Sequence, residues 1–355
     1  MEVGVNTHFE QGWPRANFGK VEVSRARGIR EVVTWGKVEQ QPGEYAFTEG
    51  NSGFIDEACS RSIPVLLVAG PRNKLYDGGL AAHSPTGQRA FARYVGALID
   101  RFPCIFAVEV GNEINTASHK WPPRADKPAM YVSMLRAVRQ EIDARARPVA
   151  LVGGSSLGVA VDFHERLFAA GELPLIDAVA VHPYSKKPEL MIRQFERLEQ
   201  AMAEHGAVKP IWATEFGLWY PTPEDAPPHA LKIISVMSAA GVERAFWYAL
   251  LDEPWYPNMG LYAGMTPKPA LATFQFAQTH LLPAGRARRI DSGGAKSFVY
   301  RYGEGRYVMW GDGERIQLPP GTQAFDAQGR RIAAPAALDF APIVTDKLPI
   351  FLPGR

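Results

Sequence analysis

Ile105-Phe106-Ala107-Val108-Glu109-Val110-Gly111-Asn112-Glu113-Ile114-Asn115 runs from a nearly continuous apolar segment straight into a polar Gly-Asn-Glu end. An apolar run without polar alternation suits a strand covered on both faces, which is the condition of a strand inside a parallel sheet. Asn112 and Glu113 then fall where the strand gives way to a loop. Ile211-Trp212-Ala213-Thr214-Glu215-Phe216-Gly217 repeats the arrangement and again ends on a glutamate.

Working outward, eight such runs are read near residues 3–6, 31–35, 64–69, 105–110, 149–153, 178–182, 211–215 and 244–248. Segments of helical spacing separate them, the pattern of repeated strand-helix units around a parallel sheet. Met191, Phe195, Leu198 and Met202 form one helical stripe, and Gly206 stands where a left-handed C-terminal cap belongs. Asp126 and Pro128 mark the start of a helix carrying Met134, Leu135, Val138 and Ile142. The expected fold is α/β: a (β/α)8 TIM barrel over residues 1–283, close to the usual size of roughly 250 residues. A doubly wound sheet is the competing fold, but no glycine-rich dinucleotide fingerprint follows the first strand. Beyond Pro283, residues 298–302 and 306–310 alternate as strands around Gly303-Glu304-Gly305, a hairpin signature. Further short strands are expected around Gln317, residues 322–325 and residues 338–340. Residues 284–355 are therefore expected to form a small C-terminal antiparallel β domain.

The chain has 355 residues, 46% of them hydrophobic, enough for a large core. Lys and Arg total 39 against 37 Asp and Glu, without long runs of one sign. That balance gives no electrostatic reason to expect nucleic acid or an anionic membrane as a partner. No apolar run approaches the roughly 20 residues that span a bilayer, and no signal peptide is visible. Cys59 and Cys104 are too few for a disulfide framework or a cysteine-rich metal site, and both are expected to pack as small apolar residues.

If the barrel is right, Glu113 closes its fourth strand and Glu215 its seventh, so both carboxylates face the rim where barrel active sites lie. Hydrolysis of a glycosidic bond needs two such groups flanking the bond. Asn112-Glu113 after the fourth strand and Glu215 after the seventh resemble the signature of the retaining glycoside hydrolases of clan A. The wider stretch from Val108 to Glu113, with the tail Leu348-Pro349-Ile350-Phe351-Leu352, is similar to glycoside hydrolase family 39 and its exopolysaccharide-cleaving relatives. The resemblance implies that Glu113 is the general acid/base, that Glu215 is the nucleophile and that Asn112 bonds the sugar 2-hydroxyl. Many relatives have Trp in place of Gly111 and Pro in place of Ile114, differences that bear on the sugar more than on the mechanism.

His182-Pro183-Tyr184 follows the sixth strand, and clan members often carry His-x-Tyr there, the Tyr bonding to the nucleophile. Trp247 resembles the clan's aromatic floor beneath the cleaved sugar. Trp219, Trp35, Trp255, Tyr256 and Trp121 fall in or beside rim loops, where aromatics suit the apolar faces of pyranose rings. Asn6 and His8 end the first strand and are candidates for sugar hydroxyls, while Arg30 reads as a structural cation. A metal enzyme is excluded on pattern: the first strand ends Asn6-Thr7-His8, one imidazole where a pair is expected, and His119 and the other histidines are scattered. No nucleophile elbow or phosphate loop occurs either, and no cofactor is expected.

These residues lead to a retaining β-glycosidase, endo-acting on a bacterial exopolysaccharide, with an oligo- or polysaccharide as partner and a monomer favoured. An exo-acting β-xylosidase or other β-glycosidase is the alternative. From another class, a carbohydrate-binding barrel that has lost turnover stays open. A polymer substrate favours the periplasm or exterior.

Overall fold

A computed structural model of the chain describes residues 1–117, 120–123, 126–291 and 297–352; His119 lies outside them. Strands β1 (Glu2–Asn6), β2 (Ile29–Val33), β3 (Val65–Ala69), β4 (Ile105–Val110), β5 (Ala150–Leu157), β6 (Ala178–His182), β7 (Ile211–Phe216) and β8 (Arg244–Trp247) pair in parallel. They close into a barrel in which β1 lies between β2 and β8. Helices follow the strands in turn: α1 (Phe18–Ser24), α2 (Gly53–Ser60), α3 (Pro85–Arg101), α4 (Lys127–Asp143), α5 (Val161–Ala169), α6 (Met191–Glu204), α7 (Ala226–Ala240) and α8 (Pro269–Phe276). The chain is a TIM barrel, as its alternation of elements predicts.

Local chemistry explains the helix boundaries. Ser84 and Asp126 cap α3 and α4 by accepting from Gly87 and Ala129 N–H, with a proline in each first turn. The stripe from Met191 to Met202 on α6 is buried, and Gly206 follows it at φ 93°. None of the helices among the described residues is long and apolar enough to cross a membrane.

Two strands differ from their expected spans in ways that matter for the site. The second begins earlier, at Ile29, so Arg30 lies on it rather than before it. Ile29 and Val33 pack outward among the helices, which turns Arg30 inward by the two-residue period of a strand. The seventh carries an irregularity where Ala245 pairs with Ala213 but Trp247 with Phe216. The extra residue lets Thr214 and Glu215 both face the interior, a common use of bulges beside active sites.

The barrel interior is filled in two layers. Leu66, Ala107, Val152, Ala178, Ala180, Trp212 and Phe246 form an apolar plug. Above it the inward side chains are polar: Asn6, Arg30, Glu109, Ser155, His182 and Thr214, all buried.

A six-stranded antiparallel sheet follows the barrel, built from β9 (Arg288–Ile290), β10 (Phe298–Tyr302), β11 (Arg306–Trp310), β12 (Ala324–Phe325), β13 (Arg331–Ile332) and β14 (Ile343–Thr345) in the order β9-β10-β11-β14-β12-β13. The strand expected at 338–340 is replaced by β14; Leu338 instead bridges residues 313 and 314 through backbone hydrogen bonds. Tyr300, Tyr302, Val308 and Trp310 belong to the same apolar cluster as the barrel helices, so the β domain is packed onto the barrel by a shared core.

Cys59 and Cys104 form a disulfide, contrary to the expectation that they pack as small apolar residues. Cys59 lies in the last turn of α2 and Cys104 immediately precedes β4, so the fold brings together two positions whose separation of 45 residues gives no hint of pairing. Closing a loop of that length stabilises a chain by roughly 4 kcal/mol in the entropic account. Replacing both cysteines with serine is expected to lower the calorimetric Tm by several degrees, with added reductant doing the same to the wild-type chain but not to the variant.

Candidate active site

The rim at the C-terminal ends of the strands holds the polar layer and the two glutamates above it. Gly111, at φ 78°, takes the chain out of β4 through a left-handed turn that glycine adopts without steric cost. Glu113 itself sits at φ 51°, a region sparsely used by side-chain-bearing residues and enriched at functional sites. Its side chain is 25% exposed, whereas that of Glu215 is 10% exposed.

Arg30 organises the layer. Its Nε and Nη2 donate to the two oxygens of Glu109 at 2.6 and 3.3 Å, Nη1 to Glu215 Oε1 at 2.7 Å and to Asn6 Oδ1 at 2.9 Å, and Nη2 to Asn112 Oδ1 at 2.7 Å. Burial would push Glu109 up, but Arg30 and His182 outweigh it and bring its pKa down to about 2. Ser155 and Thr214 hydroxyls donate to the same carboxylate at 2.7 and 2.9 Å, so no oxygen of this buried ion is left without a donor.

Glu215 is held at both oxygens, by Arg30 at Oε1 and by the Tyr184 hydroxyl at Oε2, 2.6 Å away. Burial raises the pKa of this carboxyl, yet His182, Arg30 and the Tyr184 bond together hold it below the ordinary glutamate value. His182 lies between the two glutamates, its Nδ1 3.2 Å from Glu113 Oε1 and 3.5 Å from Glu215 Oε2, and its Nε2 3.1 Å from Thr214 Oγ1. Burial favours the neutral ring, but the charge of Glu215 and the contacts with Glu109 and Glu113 raise its pKa to about 9.

One oxygen from each of Glu113 and Glu215 and one nitrogen of His182 lie within 4.8 Å of one another, a spacing that could hold a metal ion. A metal takes the neutral imidazole, and the raised pKa of His182 works against that role. The arrangement instead offers a fixed, ionised carboxylate opposite a more exposed carboxyl, with a cationic imidazole between them.

Two hollows meet at this point and share Asn112, Glu215 and Tyr248. One, of about 300 Å³, is polar, with His8, Glu10, Gln11 and Glu31 in its wall. The other, of about 420 Å³, is lined by Glu113, Tyr184, Leu157, Leu218, Trp219 and Tyr256. A larger hollow of about 580 Å³ lies at the opposite end of the barrel among Phe106, Arg145, Arg147 and Asp177, away from both glutamates.

No protein-family model matches the chain, and no curated protein matches it in sequence. A family 39 glycoside hydrolase from the gut symbiont Bacteroides cellulosilyticus WH2 superposes with a TM-score of 0.80 over 97% of this chain and 80% of that one, at 18% identity. A family 39 β-xylosidase from Caulobacter crescentus gives 0.67 over 97% and 95% of the two chains at 14% identity. The catalytic domain of the family 30 xylanase C from Talaromyces cellulolyticus gives 0.67 over 99% and 96% at 12% identity. The chain shares the (β/α)8-barrel fold of these glycoside hydrolases.

On this barrel, Glu113, Glu215, Asn112, His182 and Tyr184 converge on one point, and Trp219 stands in the cleft wall, about half exposed. Tyr256 lines the same wall, and Trp255 beside it is exposed. His8 lines the polar hollow, with Nδ1 2.5 Å from Glu253 Oε1 and its ring stacked on Trp13. Burial lowers its pKa to about 4, so it presents a neutral ring to the hollow. Asn6 is a barrel fastener: its Nδ2 donates to the Thr214 and Phe246 carbonyls while its Oδ1 accepts from Arg30.

Three aromatics do not reach the cleft. Trp35 opens a helical turn behind β2, stacks between Tyr76 and Tyr94, donates to Glu39 and is fully buried. Trp121 is buried with its Nε1 on the Ile114 carbonyl. Trp247 points outward on β8, 1% exposed, with its edge against Phe216 and its Nε1 on the Met259 carbonyl. Phe246 before it faces the apolar plug, so the alternation returns to the cleft at Tyr248, which borders both hollows. Arg30, read from sequence only as a structural cation, and Glu109 and Tyr248, passed over, are the site residues whose place in the site sequence reading misses. A charged residue inside a strand of a parallel sheet was the available signal for the first two.

Proposed function

We propose that the chain is a retaining β-glycosidase in which Glu215 is the nucleophile and Glu113 the general acid/base. The observation that carries this is the pairing of a doubly bonded, ionised Glu215 with a Glu113 oxygen no more than 4.8 Å away. Retaining enzymes hold their carboxyl groups about 5–5.5 Å apart, whereas inverting enzymes need roughly 6.5–9.5 Å to seat a water. Glu215 attacks the anomeric carbon as Glu113 gives its proton to the departing oxygen, leaving a glycosyl ester on Glu215. Glu113 then takes a proton from water, the water oxygen bonds to the anomeric carbon and Glu215 is released. Asn112, oriented by Arg30, is placed to meet the sugar hydroxyl next to the reacting carbon.

The finer reading is endo action on a polysaccharide, such as a bacterial exopolysaccharide. It is supported by hollows on both sides of Glu215 and by Trp219 and Tyr256 in the cleft wall, about half exposed, with exposed Trp255 beside Tyr256, where a sugar chain could continue. The compact polar hollow favours the second reading, an exo-acting β-glycosidase that takes a single terminal sugar, as the Caulobacter neighbour's β-xylosidase name suggests. The Cys59–Cys104 disulfide favours an oxidising compartment for either.

Digestion of a panel of polysaccharides and aryl β-glycosides, with product length and anomeric configuration read by NMR, tests these points. Products of several lengths with retained configuration are expected. Inversion would sink the nucleophile assignment, and binding without any cleavage would leave a carbohydrate-binding barrel. Replacing Glu113 with Gln is expected to slow cleavage of unactivated sugars by about 10²–10⁴-fold, the contribution of a placed general acid. Formation of the glycosyl ester from dinitrophenyl glycosides, whose leaving group needs no proton, should be nearly unaffected in a single-turnover burst.

A further inference from the structure

We propose that Trp310, on β11 of the β domain, and His229, on α7, are positioning residues that hold the loop after β6 so that Tyr184 stays bonded to Glu215. This rests on the glycosidase reading above and gives the C-terminal domain a part in the chemistry, although none of the described residues lining the cleft belongs to it.

The loop leaves β6 at His182 and carries Tyr184, whose hydroxyl meets Glu215 Oε2. Directly after it, the Ser185 carbonyl lies 2.7 Å from His229 Nε2, and His229 Nδ1 lies 2.8 Å from the Tyr220 hydroxyl. A carbonyl can only accept, so Nε2 carries the proton and Nδ1 accepts from Tyr220. Burial lowers the pKa of His229 and keeps this neutral tautomer in place. Tyr220 belongs to the next rim loop, downstream of Glu215, and its carbonyl is bonded by Asn258 Nδ2 at 3.1 Å. The chain Tyr220–His229–Ser185 therefore fastens the loop bearing Tyr184 to the loop that follows the nucleophile.

The other end of the loop is fastened by the β domain. Glu189 lies in the helical turn Pro188–Leu190 that leads into α6, and its Oε1 accepts from Trp310 Nε1 at 2.8 Å. Lys232 of α7 stands 3.6 Å from that oxygen and 5.5 Å above the Trp310 ring. Trp310 is fully buried and stacked on Phe298 and Tyr300, which makes it a rigid donor. A rim loop is ordinarily among the more mobile parts of a fold. Here its two ends are tied by partly or fully buried side chains, and the tyrosine between them is kept where a displacement of about 1 Å would weaken its bond to Glu215.

The test separates this role from packing. Trp310→Phe keeps an aromatic ring and removes the N–H; Glu189→Met removes the acceptor, and Glu189→Gln keeps an acceptor oxygen. On an aryl β-glycoside, Trp310→Phe and Glu189→Met are expected to lower kcat about tenfold with KM changed less than about twofold. Glu189→Gln should restore most of the loss. In a Tyr184→Phe background, Trp310→Phe should cost little further, because both changes remove the same bond. Arg30, His182, Glu109, Glu113, His8, Tyr184 and Tyr248 are the titratable groups facing Glu215 among the described residues, and only the Tyr184 bond is altered, so the acidic limb of kcat/KM should move to higher pH in Trp310→Phe as in Tyr184→Phe. Kinetics identical to wild type, or a full additional loss in the Tyr184→Phe background, would overturn the proposal. Titration of the Glu215 carboxyl by ¹³C NMR needs no turnover: an upward shift in Trp310→Phe upholds the positioning role even if the wild type cleaves no glycoside, an outcome that would fail the glycosidase reading alone. An unchanged titration overturns the positioning role.

Discussion

Glu215→Gln should remove turnover of every glycoside substrate by roughly 10⁴-fold or more, the scale on which loss of a covalent nucleophile registers. Its fold should survive. Glutamine keeps the length and planarity of the side chain, its carbonyl oxygen can still accept from Arg30 Nη1, and the Tyr184 hydroxyl can turn to accept from the new amide. What disappears is the negative charge that, in the proposed mechanism, attacks the anomeric carbon. The decisive substrate is an aryl β-glycoside with a good leaving group, since the proton from Glu113 is then not needed and only the nucleophile is under test. Retention of more than about a tenth of wild-type kcat/KM on it would remove Glu215 from that role. The pH profile gives an independent reading. The pKa of Glu215 is held below the ordinary glutamate value, so its ionised form persists into acid, and the acidic limb of wild-type kcat/KM should lie below the usual value of about 4.3.

Arg30→Met should cost both activity and fold. Methionine fills similar apolar volume but leaves Glu109, fully buried, without its main counter-charge, and breaking one side of a buried ion pair costs about 3–5 kcal/mol. The loss should depend on pH with a definite sign. In the wild type the folded pKa of Glu109, about 2, lies below its unfolded value. The stability it contributes is therefore complete above the ordinary carboxylate range and lost as pH falls toward 2. Without Arg30, desolvation governs, the folded pKa moves above the unfolded one, and the variant should regain stability as the carboxyl protonates on acidification. Urea unfolding at several pH values checks this: a stability gap that narrows between pH 8 and pH 5 is expected, and a gap under about 1 kcal/mol throughout would show that the ion pair does not hold the upper barrel. Adding Glu109→Gln should recover stability but not turnover, because Glu215 would still lack the Arg30 guanidinium at Oε1.

The barrel and the two glutamates were legible because each strand of a parallel sheet announces itself as an apolar run and each site carboxylate ends one. The convergence of Asn112, His182 and Tyr184 on Glu215 was legible only through resemblance, since adjacency across the rim leaves no mark in a single sequence. Trp247 and Tyr248 show a finer limit. They are neighbours in the chain, and which one faces the cleft depends on strand register, where a shift of one residue exchanges the two faces. Trp35 was misplaced for a related reason, because the second strand starts at Ile29 and the tryptophan falls behind the barrel wall rather than on its rim. Arg30 and Glu109 lie on different strands, and only closure of the barrel makes them a pair.

The polar upper layer has a consequence for how such a protein can change. The side chains that hold Glu215 in place also plug the mouth of the barrel, so a substitution there alters chemistry and folding stability in the same stroke. Altered sugar preference is accessible instead through Leu157, Leu218, Trp219 and Tyr256, which line the cleft without joining that ion layer. Libraries restricted to those loop positions should yield folded variants at high frequency, and libraries that include Arg30 or Glu109 should be dominated by unfolded chains. Selection for a new substrate would then work almost wholly in the loops and leave the charged plug unaltered.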